Sequence, residues 1–454
     1  MPLLSLVGAA SLLGASAVAV VKKTTTKHIV VTGLSRSGKS TLFTSLMAQL
    51  IQRSQAQTTQ DSLPFLTALP INRIEKVSLY ALDNVPFFPY QQNMQALVAR
   101  QWPAPTINIT AFALEICLRR SNKFIQKALS SERIRFEIYD YPGEWLMDLP
   151  MMHKSYTDWS AQVLAQQQSE PQLSLAKDWQ QTLIQFDFDT APTPERVSIL
   201  VDAYRQYLLK AKADGVSILQ PGALLLPPDD YDWLGQGFCP LPSKVTCDKS
   251  HAWFLVFNKH YQHFIKQWIK PLSNRFFSHA DKQIMLIDPL EGLHYGRDYL
   301  AEMKEAMSHL TSSFIYGKRS WYEKLYMKPT IAKVAFVATK ADLIPHAEYD
   351  NMLLLLKELT QGARSHFDKD VAFEHFMVAS LVAANAAEDG QSFTYKDVSG
   401  DTIRARFSPI PTRLGEWKVT DCYPYLKALP PKINSEADIR SIYLDKLLNY
   451  MIRD

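Results

Sequence analysis

Apolar positions along the chain follow two periods, which predict strands alternating with helices. Six short runs rich in apolar residues are typical of strands, and they span residues 28–31, 107–118, 134–139, 283–288, 334–338 and 376–381. Apolar residues recur at helical spacing in three further stretches, residues 41–47, 296–315 and 436–452. Because the runs at 283–288 and 334–338 are almost wholly apolar, they resemble buried parallel strands. We therefore predict an α/β fold with a mostly parallel sheet and flanking helices.

A long stretch between two of these strands has only helical periodicity. Apolar and aromatic residues recur at helical spacing over residues 156–169, 172–186, 194–213 and 251–277. We predict a mostly helical insertion domain at 148–280, whose aromatic stripe is its core. The enclosing domain is then discontinuous, 23–147 and 281–454. Its proline-rich segment at 54–105 is predicted to be an irregular insertion, and 390–432 to contain a hairpin that turns at 398–401.

The first 22 residues form an apolar leader. Residues 3–21 carry no charge, and Lys22 and Lys23 follow. The run is just long enough to span a bilayer, although glycine, alanine and serine make it only moderately apolar. No basic residue precedes it, which disfavours a secretory signal. Two hypotheses stay open: a loose leader, or association with the inner membrane, peripheral or as a single span, that leaves the main domain in the cytoplasm.

Composition narrows the class of protein. Hydrophobic residues make up 47% and charged residues 21% of the 454 residues, as in ordinary globular proteins. The net charge of +4 comes without a basic tract, so we expect no nucleic-acid partner. The four cysteines are scattered without a C-x-x-C pair, which favours free thiols in a reducing compartment such as the cytoplasm; they are Cys117, Cys239, Cys247 and Cys422.

Residues 33–40 match the phosphate-loop pattern G-x-x-x-x-G-K-[ST] between a predicted strand and a predicted helix. Glycines let successive backbone N–H groups point at a phosphate, and the following helix adds its positive end. Lys39 brings a charge to the β- and γ-phosphates, and the Ser40 hydroxyl is a ligand for Mg²⁺. The candidate nucleotide contacts of this loop are Gly33, Ser35, Arg36, Ser37, Gly38, Lys39, Ser40 and Thr41.

A second motif follows the strand at 134–139. Asp140 stands three residues before Gly143, as in the D-x-x-G element of GTPases. The aspartate holds Mg²⁺ through water, and the glycine N–H senses the γ-phosphate. A switch threonine that contacts Mg²⁺ and the γ-phosphate should precede the strand at 107–118. Thr106 is the first candidate for this role and Thr110 the second.

A third motif reads the base. Residues 339–342, Thr339-Lys340-Ala341-Asp342, follow a predicted buried strand and match [NT]-K-x-D. The Asp342 carboxylate can accept hydrogen bonds from guanine N1–H and N2–H₂, which adenine lacks, while the Lys340 stem covers the purine face. The small residues Ala379 and Ser380 are candidates for a backbone contact to guanine O6.

Three side chains are candidates for a catalytic role. Glu144 follows Gly143, where many GTPases have a glutamine that orients water; beside a triphosphate a carboxylate is repelled unless a cation intervenes. Two interpretations of Glu144 stay open: it orients the water, or it points away as a surface charge. Arg36 is a candidate for positive charge in cis, as against a solvated side chain, and Arg100 is a weaker one.

Together, residues 33–41, 140–145, 219–222 and 264–296 resemble the bacterial YcjX-type stress protein family, from about residue 27 onward. The resemblance implies a P-loop GTPase with a helical insertion, linked to heat or envelope stress. We therefore expect GTP/GDP and Mg²⁺ as ligands, Lys39, Thr106, Arg36 and Glu144 in hydrolysis, and an unknown protein partner at the insertion or at switch segments near 100–106 and 143–150. Two alternatives are a GTP-binding scaffold with little hydrolysis and an ATP-using kinase or ATPase, which residues 339–342 disfavour.

Overall fold

The computed structural model describes residues 24–55, 62–82, 84–119, 132–228, 233–277, 280–314, 316–317, 330–406, 409–418, 423–424 and 426–453. The apolar leader and Cys422 lie outside these residues, so the two hypotheses for the leader stay predictions. Within the described ranges, no helix combines the length and the apolar character that crossing a bilayer requires.

The described chain builds one large sheet of seven strands, in the spatial order β2-β3-β4-β1-β5-β6-β7. The strands are β1 (Thr24–Gly33), β2 (Ile74–Tyr80), β3 (Thr110–Leu118), β4 (Glu132–Asp140), β5 (Lys282–Ile287), β6 (Lys333–Ala338) and β7 (Ala372–Met377). β1 pairs in parallel with β4 and β5, and β6 and β7 continue the parallel arrangement. β2 and β3 are antiparallel. This confirms the predicted α/β fold with a mostly parallel sheet.

Two predictions of local structure are wrong. The segment at 54–105 is not irregular throughout, because it contains β2 and the helix α2 (Tyr90–Val98). β2 lies at the edge of the sheet and fully buries only Ile74, while Val77 and Leu79 are partly buried, so its apolar alternation is too short to predict a strand. β7 lies earlier than the predicted strand at 376–381. Its first three residues are exposed, and its two buried residues, Phe376 and Met377, are the part that overlaps the predicted apolar run.

Helices cover both faces of the sheet. Along β1 the side chains alternate: Ile29 and Val31 pack on one face, and Val30 packs on the other. The longer helices are α1 (Lys39–Gln55), α2, α3 (Tyr156–Gln166), α4 (Lys177–Gln185), α5 (Pro194–Asp214), α6 (Ala252–Phe264), α7 (Pro289–Tyr295), α8 (Arg297–Ser312), α9 (Tyr349–Leu359) and α10 (Leu444–Ile452). α1 and α10 share the face of Ile29 and Val31.

Residues 148–280 lie between β4 and β5 and are helical, with no strand in their described part. Besides α3–α6, they contain helical single turns at Gln172–Leu175, Gly222–Leu225, Trp233–Gln236, Ser243–Thr246 and Lys270–Leu272. Trp253, Phe257 and Tyr261 on α6 are fully buried, as predicted for a core stripe. Their cluster is continuous with Val30 of β1 and Met285 of β5, so the helical segment packs directly on the sheet.

Two further features complete the described chain. A small sheet of β8 (Ala384–Ala386), β9 (Ser392–Lys396) and β10 (Thr402–Arg406) contains the predicted hairpin. At the opposite edge of the large sheet from the phosphate loop, Lys27, Lys282 and Lys333 donate hydrogen bonds to carbonyls at the end of α10 and just beyond it. Cations are stabilised there by the negative end of the helix dipole.

Candidate functional site

The predicted phosphate loop lies at the carboxyl edge of the parallel strands. β1 ends at Gly33, α1 begins at Lys39, and β1 is flanked on both sides by parallel partners, β4 and β5. Open α/β sheets bind their ligands at this edge, in the crevice beyond the strand ends. The loop therefore occupies the position where a phosphate site is expected.

The loop has the backbone geometry of a phosphate cradle. Arg36 and Gly38 both have positive φ, 62° and 89°, which turns the chain sharply around the loop. The Lys39 ammonium donates hydrogen bonds to the carbonyl oxygens of Gly33 at 2.8 Å and Leu34 at 3.4 Å. Burial lowers the pKa of Lys39, against the opposing effect of Asp140 and Glu144. The Lys39 ammonium group therefore lies inside the phosphate loop.

Three oxygen-bearing side chains from separate elements meet beside the loop. The Thr106 hydroxyl lies 3.0 Å from the Ser40 hydroxyl and donates a hydrogen bond of 2.7 Å to Asp140 Oδ2. Asp140 Oδ1 is buried and has no hydrogen-bond partner in the described part of the chain. Burial raises the pKa of Asp140 to about 6, although Lys39 and Thr106 act in the opposite direction. Hydroxyl and carboxylate oxygens with a spare acceptor atom fit Mg²⁺.

The structure separates the two candidates for the switch threonine. Thr106 is in direct contact with Ser40 and Asp140, as its predicted role requires. Thr110 begins β3 opposite Asp140, but its hydroxyl is buried and makes no hydrogen bond to any described residue. The geometry favours Thr106.

Gly143 and Glu144 pack against the phosphate loop. A methyl group at Gly143 would lie 2.6 Å from the Ser35 backbone nitrogen, so only glycine allows this approach. Glu144 is 5% exposed, which makes the interpretation as a surface charge wrong. Its Oε1 accepts hydrogen bonds from the Ser35 hydroxyl at 2.9 Å and from the Lys212 ammonium at 2.8 Å. Burial would raise the pKa of Glu144, but Lys212 and Ser35 outweigh it and the pKa is lowered.

The two arginine candidates lie in different surroundings. Arg36 is exposed, and its guanidinium lies beside Gly215 at the end of α5, where a methyl group would come within 3.0 Å of it. The Arg100 guanidinium donates a hydrogen bond of 3.4 Å to the carbonyl of Pro430. The Arg36 side chain therefore extends from the phosphate loop to the end of α5, whereas the Arg100 side chain contacts a loop that is distant in the sequence.

The predicted base-reading residues follow β6 directly. Asp342 is buried, its Oδ2 accepts a hydrogen bond of 2.8 Å from the Ala383 N–H, and burial raises its pKa to about 6. Lys340 has a left-handed backbone with φ of 60°, and its ammonium pairs with the Asp288 carboxylate at the end of β5. The Thr339 hydroxyl donates to the Ile287 carbonyl at 3.2 Å. These contacts hold the loop rigidly at the carboxyl edge of the sheet.

The two small residues after β7 differ in what they can offer a base. The Ala379 N–H donates a hydrogen bond of 3.1 Å to the Ile442 carbonyl, and the Ala379 carbonyl accepts one from the Ile442 N–H. Its backbone is therefore already engaged within the protein. Ser380, half-buried at the next position, is the better candidate of the pair.

Sequence patterns did not indicate that residues 143–148 contact the helical segment through long-range hydrogen bonds. Asp148 is fully buried and accepts hydrogen bonds from the N–H groups of Gly222 at 2.6 Å and Ala223 at 2.9 Å. The Trp145 indole donates to the Leu226 carbonyl at 2.8 Å. These partners are more than 70 residues apart in the chain, so no local spacing links them.

The sheet order and the phosphate loop define a P-loop fold of the GTPase type. The family model described as YcjX-like family, DUF463, matches residues 28–454, and the chain belongs to this family. The chain is 29% identical to the Ras-like GTPase YcjX of Escherichia coli (strain K12) across 83% of its own length and 81% of the relative's. It is 28% identical to the Ras-like GTPase YcjX of Shewanella oneidensis across 95% of each chain. The resemblance predicted from the motifs is confirmed.

Proposed function

We propose that this chain is a Mg²⁺-dependent switch protein that binds and hydrolyses GTP and takes part in a stress response. The observation that carries the proposal is the cluster of Ser40, Thr106 and Asp140 beside the phosphate loop. Three elements distant in sequence supply one oxygen ligand set at the point where the β- and γ-phosphates would lie. The relatives named as Ras-like GTPases support the same class of activity.

Each part of the site has a distinct task in this proposal. The loop N–H groups and Lys39 bind the phosphates, while Ser40, Thr106 and Asp140 hold Mg²⁺. A bound Mg²⁺ neutralises charge on the β- and γ-phosphate oxygens during phosphoryl transfer. The Gly143 N–H contacts the γ-phosphate, and Glu144 orients the attacking water.

The base-reading residues lie within reach of the same nucleotide. β5 separates β1 from β6, and neighbouring strands are about 4.8 Å apart, so the two loops are roughly 10 Å apart across the sheet. A nucleoside triphosphate bound at residues 33–41 can therefore extend its base to Asp342. The Asp342 carboxylate then selects guanine through two donors that adenine lacks.

The switch would pass from the nucleotide to the helical segment. Residues 143–148 contact the phosphate loop through Gly143 and the helical segment through Asp148 and Trp145. Loss of the γ-phosphate would release the segments near 100–106 and 143–150 and change the surface of residues 148–280. That surface is where we expect a protein partner to distinguish the two states.

Base selection provides the decisive test of the nucleotide. We would measure dissociation constants for GTP, GDP and ATP with Mg²⁺, using the parent and Asp342→Asn, and add xanthosine triphosphate for the variant. We expect the parent to prefer guanine and the variant to shift its preference toward xanthine. Equal or tighter ATP binding by the parent would contradict the proposal and favour an ATP-using enzyme.

One observation favours a second candidate, a scaffold that binds GTP without hydrolysing it. Glu144 replaces the usual glutamine, and its Oε1 is already engaged by Ser35 and Lys212. Single-turnover hydrolysis of bound GTP separates the two candidates. Release of phosphate faster than in a Lys39→Ala control establishes the enzyme, whereas equal rates establish the scaffold.

A further inference from the structure

The carboxylate of Glu144 lies where a polyanionic ligand has to bind. Its Oε1 is 2.9 Å from the hydroxyl of Ser35, a member of the phosphate loop, and the preceding Gly143 packs on the backbone of the same loop. Under the proposed function, the γ-phosphate of GTP lies beside this loop, within reach of the Gly143 N–H. A buried carboxylate next to that phosphate opposes binding unless a cation compensates for it.

The helical segment supplies a cation at this carboxylate. Lys212 belongs to the last turn of α5, and its ammonium is 2.8 Å from Glu144 Oε1. The pair is largely shielded from water, with 26% of the Lys212 side chain and 6% of the Glu144 side chain exposed. A charge pair in these surroundings is less screened than one on the surface.

The other cations near the loop are engaged differently. The Lys39 ammonium donates hydrogen bonds to the carbonyls of Gly33 and Leu34, so it faces the centre of the loop. The Arg36 side chain is exposed and lies beside Gly215. Lys212 is therefore the cation that pairs with Glu144 in the described part of the chain.

The packing of α5 fixes the position of Lys212. Gly215 ends the helix with φ of 115°, and its N–H donates to the carbonyls of Ala211 and Lys212. The Tyr295 hydroxyl donates a hydrogen bond of 2.7 Å to the Asp214 carbonyl, which ties the end of α5 to α7. The lysine is therefore presented to the phosphate loop by a rigid element.

We propose that Lys212 is a positioning residue that neutralises Glu144 and so lets this carboxylate remain beside the γ-phosphate of bound GTP. This inference rests on the proposed function. Because GDP has no γ-phosphate, the benefit of Lys212 is specific to GTP. The helical segment thereby completes the triphosphate site from outside the sheet, and its displacement weakens GTP binding selectively.

The test compares affinities for a non-hydrolysable GTP analogue and for GDP, measured with Mg²⁺ by nucleotide fluorescence. Lys212→Met removes the charge and keeps most of the length; we expect the analogue to bind about tenfold more weakly, the effect of one close charge on an acid. GDP affinity should stay within about twofold, because GDP has no γ-phosphate to be repelled by the Glu144 carboxylate that has lost its partner. Lys212→Arg should retain most of the analogue affinity.

A second variant distinguishes charge compensation from a packing role. In a Glu144→Gln background no carboxylate remains to be neutralised, so Lys212→Met should no longer weaken analogue binding. Lys210→Met is the matched control, because Lys210 lies on the same helix and pairs with the exposed Asp178 instead. We expect it to change neither affinity.

The outcomes separate this inference from the proposed function. If the parent binds guanine nucleotides but Lys212→Met weakens the analogue and GDP equally, or weakens the analogue also in the Glu144→Gln background, the role of Lys212 is refuted and the proposed function stands. If the parent fails to bind GTP, both are refuted. Thermal unfolding of each variant with and without GDP shows whether the fold is retained.

Discussion

The hydroxyl of Thr106 contacts both Ser40 and Asp140, and this contact is the most specific feature of the site at the scale of single residues. Ser40 and Asp140 come from motifs whose spacing the sequence shows, so both could be predicted directly. Thr106 precedes its strand without a motif of its own. The structure supports it because the other candidate, Thr110, makes no hydrogen bond to described residues.

Replacing this threonine should weaken Mg²⁺ binding. Thr106→Ala removes one oxygen ligand and the hydrogen bond to Asp140, so the Mg²⁺ concentration for half-maximal nucleotide binding should rise at least about tenfold. Thr110→Ala, the matched control, should leave it unchanged. A Mg²⁺ titration followed by nucleotide fluorescence measures both. A larger effect from Thr110→Ala would reverse the assignment.

Other residues of the site left no signal in the sequence. Lys212 is one of two lysines on α5, and nothing in its spacing connects it with Glu144. Asp148 likewise meets Gly222 and Ala223 only after the helical segment has folded back. Contacts of this kind depend on packing between layers, which local periodicity does not encode.

At the scale of elements, the short helix Gly222–Leu225 is packed directly against residues 143–146. A methyl group at Gly222 would lie 2.0 Å from the Glu144 carbonyl oxygen, so the two backbones are in closest possible contact. The N–H groups at the start of this short helix also donate to Asp148. Residues 143–146 and the helical segment are thus in direct backbone contact at this point.

A single methyl group should therefore disturb this junction. Gly222→Ala forces the short helix away from Glu144, and we expect the free energy of unfolding to fall by about 1–3 kcal/mol. Gly415→Ala is the control, because a methyl group there meets nothing within 4 Å; it should change stability by less than about 0.5 kcal/mol. Urea denaturation measures both. Equal stability of the two variants would show that the junction is loose.

Elements were predictable where burial is complete and not where it is partial. β5 is buried along its whole length and β6 along nearly all of it, so their apolar runs stand out in the sequence. β2 is an edge strand with one buried residue, and its pairing with β3 supplies hydrogen bonds that no side-chain pattern reveals. The long helices α5 and α8 match their predicted spans closely because one apolar face of each is buried.

At the scale of the whole molecule, the helical segment and the sheet share one core. The sequence predicts that a helical segment, residues 148–280, lies between two strands of the sheet. It cannot show that Trp159 and Tyr261 belong to the same buried cluster as Val30, because partners across layers leave no mark in either segment. Glu291 of α7 connects the two parts of this core. Its Oε1 accepts hydrogen bonds from the Tyr299 hydroxyl of α8 at 2.5 Å and from the Ser217 N–H of the helical segment at 3.1 Å.

The buried Glu291 carboxyl group should make the stability of the protein depend on pH. Burial, with a smaller contribution from Asp288, raises the pKa of Glu291 to about 7, above its usual value of 4.5. The folded protein holds a proton that the unfolded chain releases, so the stability from this group is present at low pH and lost as pH rises through about 7. Glu291→Gln can keep both acceptor contacts and cannot titrate.

The parent should therefore lose stability relative to Glu291→Gln between pH 5 and pH 8. Urea denaturation of both proteins across this range gives the difference in the free energy of unfolding, in which the contributions of other titrating groups cancel. A difference that is constant with pH would show that Glu291 is charged throughout.

The helix at 444–452 also bears on how the protein is made. Leu444, Leu447, Leu448 and Met451 bury Ile29 and Val31 of the first described strand, and the lysines of three parallel strands bind the end of this helix. During synthesis, the strand that leads into the phosphate loop therefore emerges from the ribosome long before the helix that covers it. During that interval an apolar face of the growing sheet stays open, and exposed apolar surface of this kind favours aggregation of a nascent chain.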